Sequence, residues 1–180
     1  MSDPAIEVLR RDDVRRLMQS LYRQYPVGSL LVWQTRAETT QLRGGGEDAM
    51  PLVKLLLDGQ QRITSLYGII RGEPPAFFHG NAKAFTDLYF DLRTESFEFY
   101  GPVKMGGDPL WSNVTKVFQD GINPWFAVLA DCEADDREKF LERLTRLQQI
   151  RDIELHIEEI VGRERTLDEV VDIFNRVSSG

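Results

Sequence analysis

Apolar residues along this chain recur at helical spacing in some stretches and cluster in short runs in others. Helical spacing predicts an amphipathic helix with one buried face, whereas short runs rich in branched or aromatic residues predict strands. Three long helices are predicted, with inward positions at Val14, Leu17, Met18, Leu21 and Tyr22 in the first, Phe140, Leu141, Leu144 and Leu147 in the second, and Leu167, Val170, Val171 and Phe174 in the last. Thr166 and Glu169 have the spacing of a capping box for the last helix.

The short apolar runs predict a small number of strands between these helices. Strands are expected through Trp33, over Val53–Leu57, over Leu88–Leu92 and Phe97–Tyr100 as a β-hairpin, and over the alternating segment Ile153–Ile157. A short helix is expected over Ser112–Phe118, and Trp111, Trp125 and Phe126 are expected to fill the core. This mixture of elements predicts an α+β fold.

Residues 35–51 show little periodicity and contain Gly44, Gly45 and Gly46, which predicts a flexible loop. A run of glycines also occurs in phosphate-binding loops. However, the sequence contains no G-x-x-x-x-G-K-[ST], and no predicted strand runs directly into the glycines. We therefore interpret this segment as a loop.

Asp58 and Gly59 lie where the predicted strand Val53–Leu57 ends and a new helical pattern begins. That pattern consists of Ile63, Leu66, Tyr67 and Ile70. The first N–H groups of a helix lack intrahelical partners and carry the positive end of its dipole, so such a junction favours an anion. Gly59 would allow the backbone to approach that anion closely.

The side chains that follow this turn are suited to phosphate. Arg62 offers a planar set of donors, and Gln60, Gln61 and Thr64 offer neutral ones. An Asp-Gly pair before a helix is also an ordinary cap and turn, but a cap requires one oxygen rather than two glutamines and an arginine. The sequence therefore predicts phosphate binding at this turn.

The segment Asp58-Gly59-Gln60-Gln61-Arg62 resembles the DGQQR signature of the GmrSD-type restriction endonuclease N-terminal domain, a family with a ParB/sulfiredoxin-like core. Tyr25–Trp33 resembles the strand before that signature, and Phe174–Gly180 resembles a later F-x-R-x-N-x-G motif, with Ser178 where the family commonly has Asn. The Gln-Arg pair that opens the family's first strand has no counterpart in Met1–Arg11. The resemblance covers nearly the whole chain.

The resemblance implies a single ParB/sulfiredoxin-like domain over residues 1–180, with a small mixed sheet flanked by helices, forming the N-terminal fragment of a longer protein. The implied function is binding of a nucleoside triphosphate with phosphohydrolysis, in a restriction system against modified foreign DNA. Asp58, Gln61 and Arg62 are the implied catalytic residues. Phosphate would be held by Gly59, Gln60, Gln61, Arg62, Thr64 and Arg176, the last on the resemblance alone.

Asp58 would either hold a divalent cation such as Mg²⁺ or orient water. The resemblance also implies that DNA is engaged through the full-length protein and cut by a C-terminal nuclease domain or a partner subunit. Two further functions stay open: a DNA-binding sensor of a base or backbone modification, or a ParB-like nuclease. A catalytically silent scaffold is the third alternative.

Composition narrows these possibilities. A net charge of −7, from 22 basic and 29 acidic residues, argues against a nonspecific nucleic-acid coat. Arg10, Arg11, Arg15, Arg16 and Arg23 cluster at the first helix, but Asp12 and Asp13 interrupt them, which favours a solvated helix face.

The cysteine, histidine and hydropathy patterns argue against a disulfide-linked protein, a membrane-spanning protein and a zinc site. Cys132 is the only cysteine, so a disulfide within the chain is excluded and a reducing cytoplasm is the expected setting. No apolar run approaches membrane-spanning length. His79 and His156 stand apart from each other without zinc-site spacing, so no metal site is predicted from them.

Overall fold

The computed structural model describes residues 10–36, 52–76, 78, 80, 82–161 and 165–178 and confirms the predicted α+β class. Helices within these residues are α1 (Arg11–Tyr22), α2 (Gln60–Arg71), α3 (Lys83–Thr86), α4 (Pro102–Met105), α5 (Val114–Asp120), α6 (Phe126–Ala130), α7 (Ala134–Gln149) and α8 (Leu167–Ser178). Strands are β1 (Leu30–Arg36), β2 (Leu52–Asp58), β3 (Leu88–Asp91), β4 (Ser96–Phe99), β5 (Trp111–Asn113) and β6 (Ile157–Ile160).

The described residues divide into two compact units. Unit 1 contains those up to Val27 and from Gln61 to Glu154, and unit 2 contains those from Gly28 to Gln60 and from Leu155 onward. The prediction that residues 1–180 form one domain stays a prediction. No helix in the described ranges is long and apolar enough to cross a membrane.

Unit 1 contains an antiparallel sheet of strand order β4-β3-β5. Phe90 pairs with Phe97 and Leu88 with Phe99, which confirms the predicted hairpin. The predicted inward face of α1 is buried at Val14, Met18, Leu21 and Tyr22. Helix α7 likewise buries Phe140, Leu144 and Leu147 in the same core, as its periodicity predicted.

Two predictions in unit 1 require correction. The short helix expected from Ser112 begins instead at Val114, because Trp111–Asn113 pairs with β3 as β5, and the Asn113 side chain then caps α5 by accepting the Lys116 N–H at 3.0 Å. Trp111 and Trp125 are buried as predicted. Phe126 is 48% exposed, because α6 turns Leu129 rather than Phe126 toward the core.

Unit 2 contains the predicted small mixed sheet, with strand order β2-β1-β6. Strand β1 pairs antiparallel with β2 and parallel with β6. Leu31 and Ile160 from this sheet pack with Val170 of α8 in a small separate core. The run Val53–Leu57 forms β2 as predicted, although it is more exposed than expected because β2 lies at the sheet edge among the described strands.

The last strand and helix differ from their predicted positions. Strand β6 begins at Ile157 rather than at Ile153, because Ile153 follows a 3-10 turn at Ile150–Asp152 and packs on the core of unit 1. The capping box is confirmed: the Thr166 N–H donates to Glu169 Oε2 at 3.0 Å, and the Glu169 N–H donates to Thr166 Oγ1 at 3.4 Å.

The inward face predicted for α8 is only partly confirmed. Val170 is buried and Phe174 is half-buried, but Leu167 is 66% and Val171 48% exposed. Leu167 is the first residue of the helix, and Val171 lies about 100° around the helix from Val170. Strand β1 extends through Thr35 to Arg36, two residues into the predicted loop. The rest of that loop with Gly44–Gly46, the segment 1–9, His79 and the end of the later motif at 179–180 lie outside the described residues.

Candidate functional site

The predicted strand-to-helix junction is present. Strand β2 ends at Asp58, Gly59 follows alone, and α2 begins at Gln60. Gly59 is buried and has φ of +91°, in a region that residues with a side chain rarely adopt. Asp58 Oδ1 accepts the Gly59 N–H at 2.8 Å. The turn therefore requires glycine, and the aspartate side chain stabilises it locally.

Both glutamines of the signature make local contacts at the start of α2. Gln60 is exposed, and its Nε2 donates back to the Leu56 carbonyl of β2 at 2.8 Å. Gln61 is half-buried, and its carbonyl accepts Ser65 Oγ at 2.7 Å. These contacts help to fix the first turn of the helix.

Arg62 is half-buried and contacts the main chain. Its Nη1 donates to the Val27 carbonyl at 2.5 Å, in the segment that follows α1. The bond uses one of the five N–H donors of a guanidinium. The predicted phosphate ligand therefore also holds a distant part of unit 1, a role that the sequence did not indicate.

Thr64 and Arg176 occupy different surroundings from the rest of the predicted site. Thr64 is buried at 9% exposure on α2. Arg176 lies within α8 rather than after it, its side chain is 78% exposed, and it pairs with Asp172 at 2.9 Å one turn earlier. Their predicted roles as phosphate contacts stay predictions.

Sequence reasoning missed the residues that hold the second half of α2. A Cβ placed on Gly68 would lie 2.3 Å from Cδ1 of Phe85, so the helix packs against this ring only because Gly68 has no side chain. Thr115 Oγ1 of α5 donates to the Ile69 carbonyl at 2.8 Å and lies 3.2 Å from the Phe85 carbonyl. Gln119 Nε2, also of α5, donates to the Arg71 carbonyl at 2.7 Å.

These three contacts fix α2 in unit 1. The side chains of α5 satisfy carbonyls at the carboxyl end of the helix that have no intrahelical partner. An isolated glycine inside a helical pattern is a signal of close packing, so Gly68 could have been found from the sequence. Thr115 and Gln119 could not, since they are 46 and 48 residues from their partners.

A second polar cluster was also missed and is centred on Glu95, at the turn of the β3–β4 hairpin. Tyr22 donates its hydroxyl to Glu95 Oε1 at 2.6 Å, and Arg143 and Arg146 lie 3.3 and 3.6 Å from the same carboxylate. Burial raises the pKa of the Tyr22 hydroxyl above its usual range, and the hydrogen bond to Glu95 adds to the shift. This cluster joins α1, the hairpin and α7, so we interpret it as structural.

Among the described residues, no group of three or more His, Cys, Asp or Glu side chains is arranged to hold a metal ion. A Mg²⁺ ion requires fewer protein ligands when phosphate oxygens supply the others. Asp58 alone would therefore fit a cation that arrives with a nucleotide.

Comparison with known proteins gives one family. Residues 8–180 match the family described as GmrSD restriction endonuclease, N-terminal domain. The matched range contains Tyr25–Trp33, Asp58–Arg62 and Phe174–Gly180, and the match confirms the family that the sequence resembles. Among curated proteins, none matches the sequence.

Proposed function

The chain belongs to the family of the GmrSD restriction endonuclease N-terminal domain, and on that premise we propose that it binds and hydrolyses a nucleoside triphosphate at the start of α2. Hydrolysis would serve restriction of modified foreign DNA. The DNA would be cut by a separate C-terminal nuclease domain or a partner subunit. The observation that carries this proposal is the buried Gly59 turn, at φ of +91°, directly before a helix that begins Gln60-Gln61-Arg62.

The phosphates would be held mainly by backbone groups. The first N–H groups of α2 point along the helix axis toward the Gly59 turn, where the helix dipole favours negative charge. Gly59 has no Cβ to keep a phosphate away from these groups. Gln60 and Arg62 each make a main-chain contact, at Leu56 and Val27, and these contacts would orient the two side chains before the ligand binds.

Hydrolysis of a triphosphate requires chiefly positioning and electrostatic stabilisation. Arg62 would neutralise charge that develops on the transferred phosphoryl group. Asp58 and Gln61, on either side of the turn, would orient the attacking water. A divalent cation, when bound with the triphosphate, would be held by Asp58 and phosphate oxygens and would neutralise further charge.

Binding can be tested by isothermal titration of a nucleoside triphosphate into the 180-residue protein and into Arg62→Gln. Loss of a charge-assisted contact worth about 1.5–3 kcal/mol predicts affinity about ten- to a hundredfold weaker. Arg71→Gln is a matched control, because Arg71 is an exposed arginine at the opposite end of the same helix. If the folded Arg62→Gln protein binds the triphosphate with unchanged affinity, the role proposed for Arg62 is wrong.

Hydrolysis requires a separate measurement. Phosphate release by purified protein should fall in Asp58→Asn, while triphosphate affinity measured without divalent cation changes little, since the carboxylate acts on water or on the cation rather than on the phosphate. Release by Asp58→Asn equal to that of the unmodified protein would remove Asp58 from the mechanism. Binding without any release by the unmodified protein would reduce the proposal to a nucleotide-binding domain.

A further inference from the structure

Five arginines lie within fourteen residues at the first helix: Arg10, Arg11, Arg15, Arg16 and Arg23. With Asp12 and Asp13 as the only acidic residues between them, this segment has a local net charge of +3, in a chain whose net charge is −7. All five side chains are exposed, and α1 buries its inward face in the core of unit 1. Arg10 precedes the helix, and Arg11 lies toward its inward side, over Phe99. Arg15, Arg16 and Arg23 lie within about 100° of one another around the outward side of the helix. We call the surface formed by these three side chains the α1 arginine face.

The charges on this face are only weakly compensated. Arg15 lies 3.8 Å from Asp12, a long contact between exposed groups, and Arg11 lies over the ring of Phe99 at 5.0 Å. Arg16 and Arg23 have no ion pair or side-chain hydrogen bond within the part of the chain that the structure describes. They are two helical turns apart, about 10.5 Å along the axis, and lie on the same side of the helix.

The stability of the helix does not explain all of these arginines. Asp12 and Asp13 occupy the first turn, where negative charge is favoured by the helix dipole. Arg10 and Arg11 occupy the same end, where positive charge is disfavoured. Beyond the first turn, no acidic residue accompanies Arg15, Arg16 and Arg23 on the outward side of α1. For this reason we favour an anion-binding surface here over the solvated face that the sequence favoured.

We propose that the α1 arginine face binds the sugar-phosphate backbone of duplex DNA. Guanidinium groups bind phosphate in a planar, two-pronged geometry, and Arg16 and Arg23 lie on the same side of the helix, where both could contact one duplex. Membership of a restriction endonuclease family selects DNA among the anionic polymers that such a face could bind. Backbone contacts position a protein on DNA without reading its sequence, so this face positions the domain and does not select the site. The inference does not depend on the nucleotide proposal.

Fluorescence anisotropy of a labelled duplex, measured across a salt series, tests the α1 arginine face directly. The variant is Arg16→Gln with Arg23→Gln, and the control is Lys116→Gln with Lys139→Gln, which removes the same charge from exposed positions on α5 and α7. Each lost phosphate contact lowers the slope of log affinity against log salt by about 0.9. Between about 50 and 200 mM salt, the unmodified protein should therefore lose about twelvefold more affinity than the arginine variant.

The control should keep the slope of the unmodified protein, and the arginine variant should keep its unfolding midpoint and its triphosphate affinity. Equal slopes for the arginine and lysine variants would overturn the proposal, as would the absence of duplex binding by the unmodified protein at about 50 mM salt. Arginine-dependent binding to vesicles of anionic lipid, without duplex binding, would overturn it in favour of a membrane surface. Because triphosphate affinity is measured on the same proteins, failure here is distinguishable from failure of the nucleotide site.

Discussion

The two ends of α2 are held by different kinds of contact. At its carboxyl end, Gly68 packs directly against Phe85, and the side chains of Thr115 and Gln119 satisfy helix carbonyls. At its amino end, long side chains reach main-chain carbonyls, as Arg62 does at Val27. The carboxyl end is therefore fixed chiefly by two small, buried residues, Gly68 and Thr115, which leave no room for a larger side chain. The other end keeps polar side chains beside a glycine turn, which is the arrangement that a ligand site requires.

The largest predicted effect comes from breaking the close packing at the carboxyl end. Gly68→Ala places a Cβ 2.3 Å from the Phe85 ring, and neither the ring nor the helix can move without disturbing the core. We expect a loss of about 3 kcal/mol in the free energy of unfolding, measured by urea denaturation. Gly101→Ala is the control, because nothing lies within 4 Å of its Cβ position, and it should change stability by less than about 0.5 kcal/mol. Similar values for both variants would show that the approach to Phe85 is not tight.

A smaller effect is expected at the carbonyls that Thr115 satisfies. Thr115→Val keeps the shape of the side chain but leaves buried acceptors without a donor, which should cost about 2 kcal/mol. Thr145→Val is the control, because the Thr145 hydroxyl donates only to the Leu141 carbonyl one turn earlier in its own helix, at 2.9 Å. Urea denaturation should show a clear difference between them. Equal losses would mean that the α5 contacts do not anchor α2.

The smallest stability effect, and the sharpest test of the amino end, is at Gly59. Gly59→Ala and Gly107→Ala both place a side chain at positive φ, at +91° and +75°, so each should cost about 1–2 kcal/mol. Only Gly59→Ala should also weaken triphosphate binding, because its methyl group would occupy the approach to the first turn of α2. If titration calorimetry finds the same triphosphate affinity in both variants, the Gly59 turn is a structural feature alone.

Much of this fold could be predicted from the sequence where the pattern is local. The apolar faces of α1 and α7 and the hairpin of β3 and β4 depend on which residues face one core, and all were confirmed. The predicted position of β6 was wrong because the start of this strand is set by its pairing with β1. Leu30 pairs with Ile157, while Ile153 packs on the core of unit 1. No local pattern contains that information.

The candidate site also has a part that the local sequence predicts and a part that it does not. The turn and the start of α2 follow from a strand pattern, a glycine and a helical pattern that succeed one another within residues 53–70, and they were predicted. The contact of Arg62 with Val27 spans 35 residues, and it depends on how the segment after α1 returns to the helix. A sequence can indicate the donors of a site, but the groups that orient those donors come from tertiary packing.

Thermal unfolding in the presence of matched ligands tests the central claim, phosphate binding at the Gly59 turn, most directly. A nucleoside triphosphate at about a hundred times its dissociation constant should raise the free energy of unfolding by about 2.7 kcal/mol. The corresponding nucleoside at the same concentration should have little effect, because the turn offers donors for phosphate. Equal stabilisation by the two ligands, or none by the triphosphate, would contradict the account.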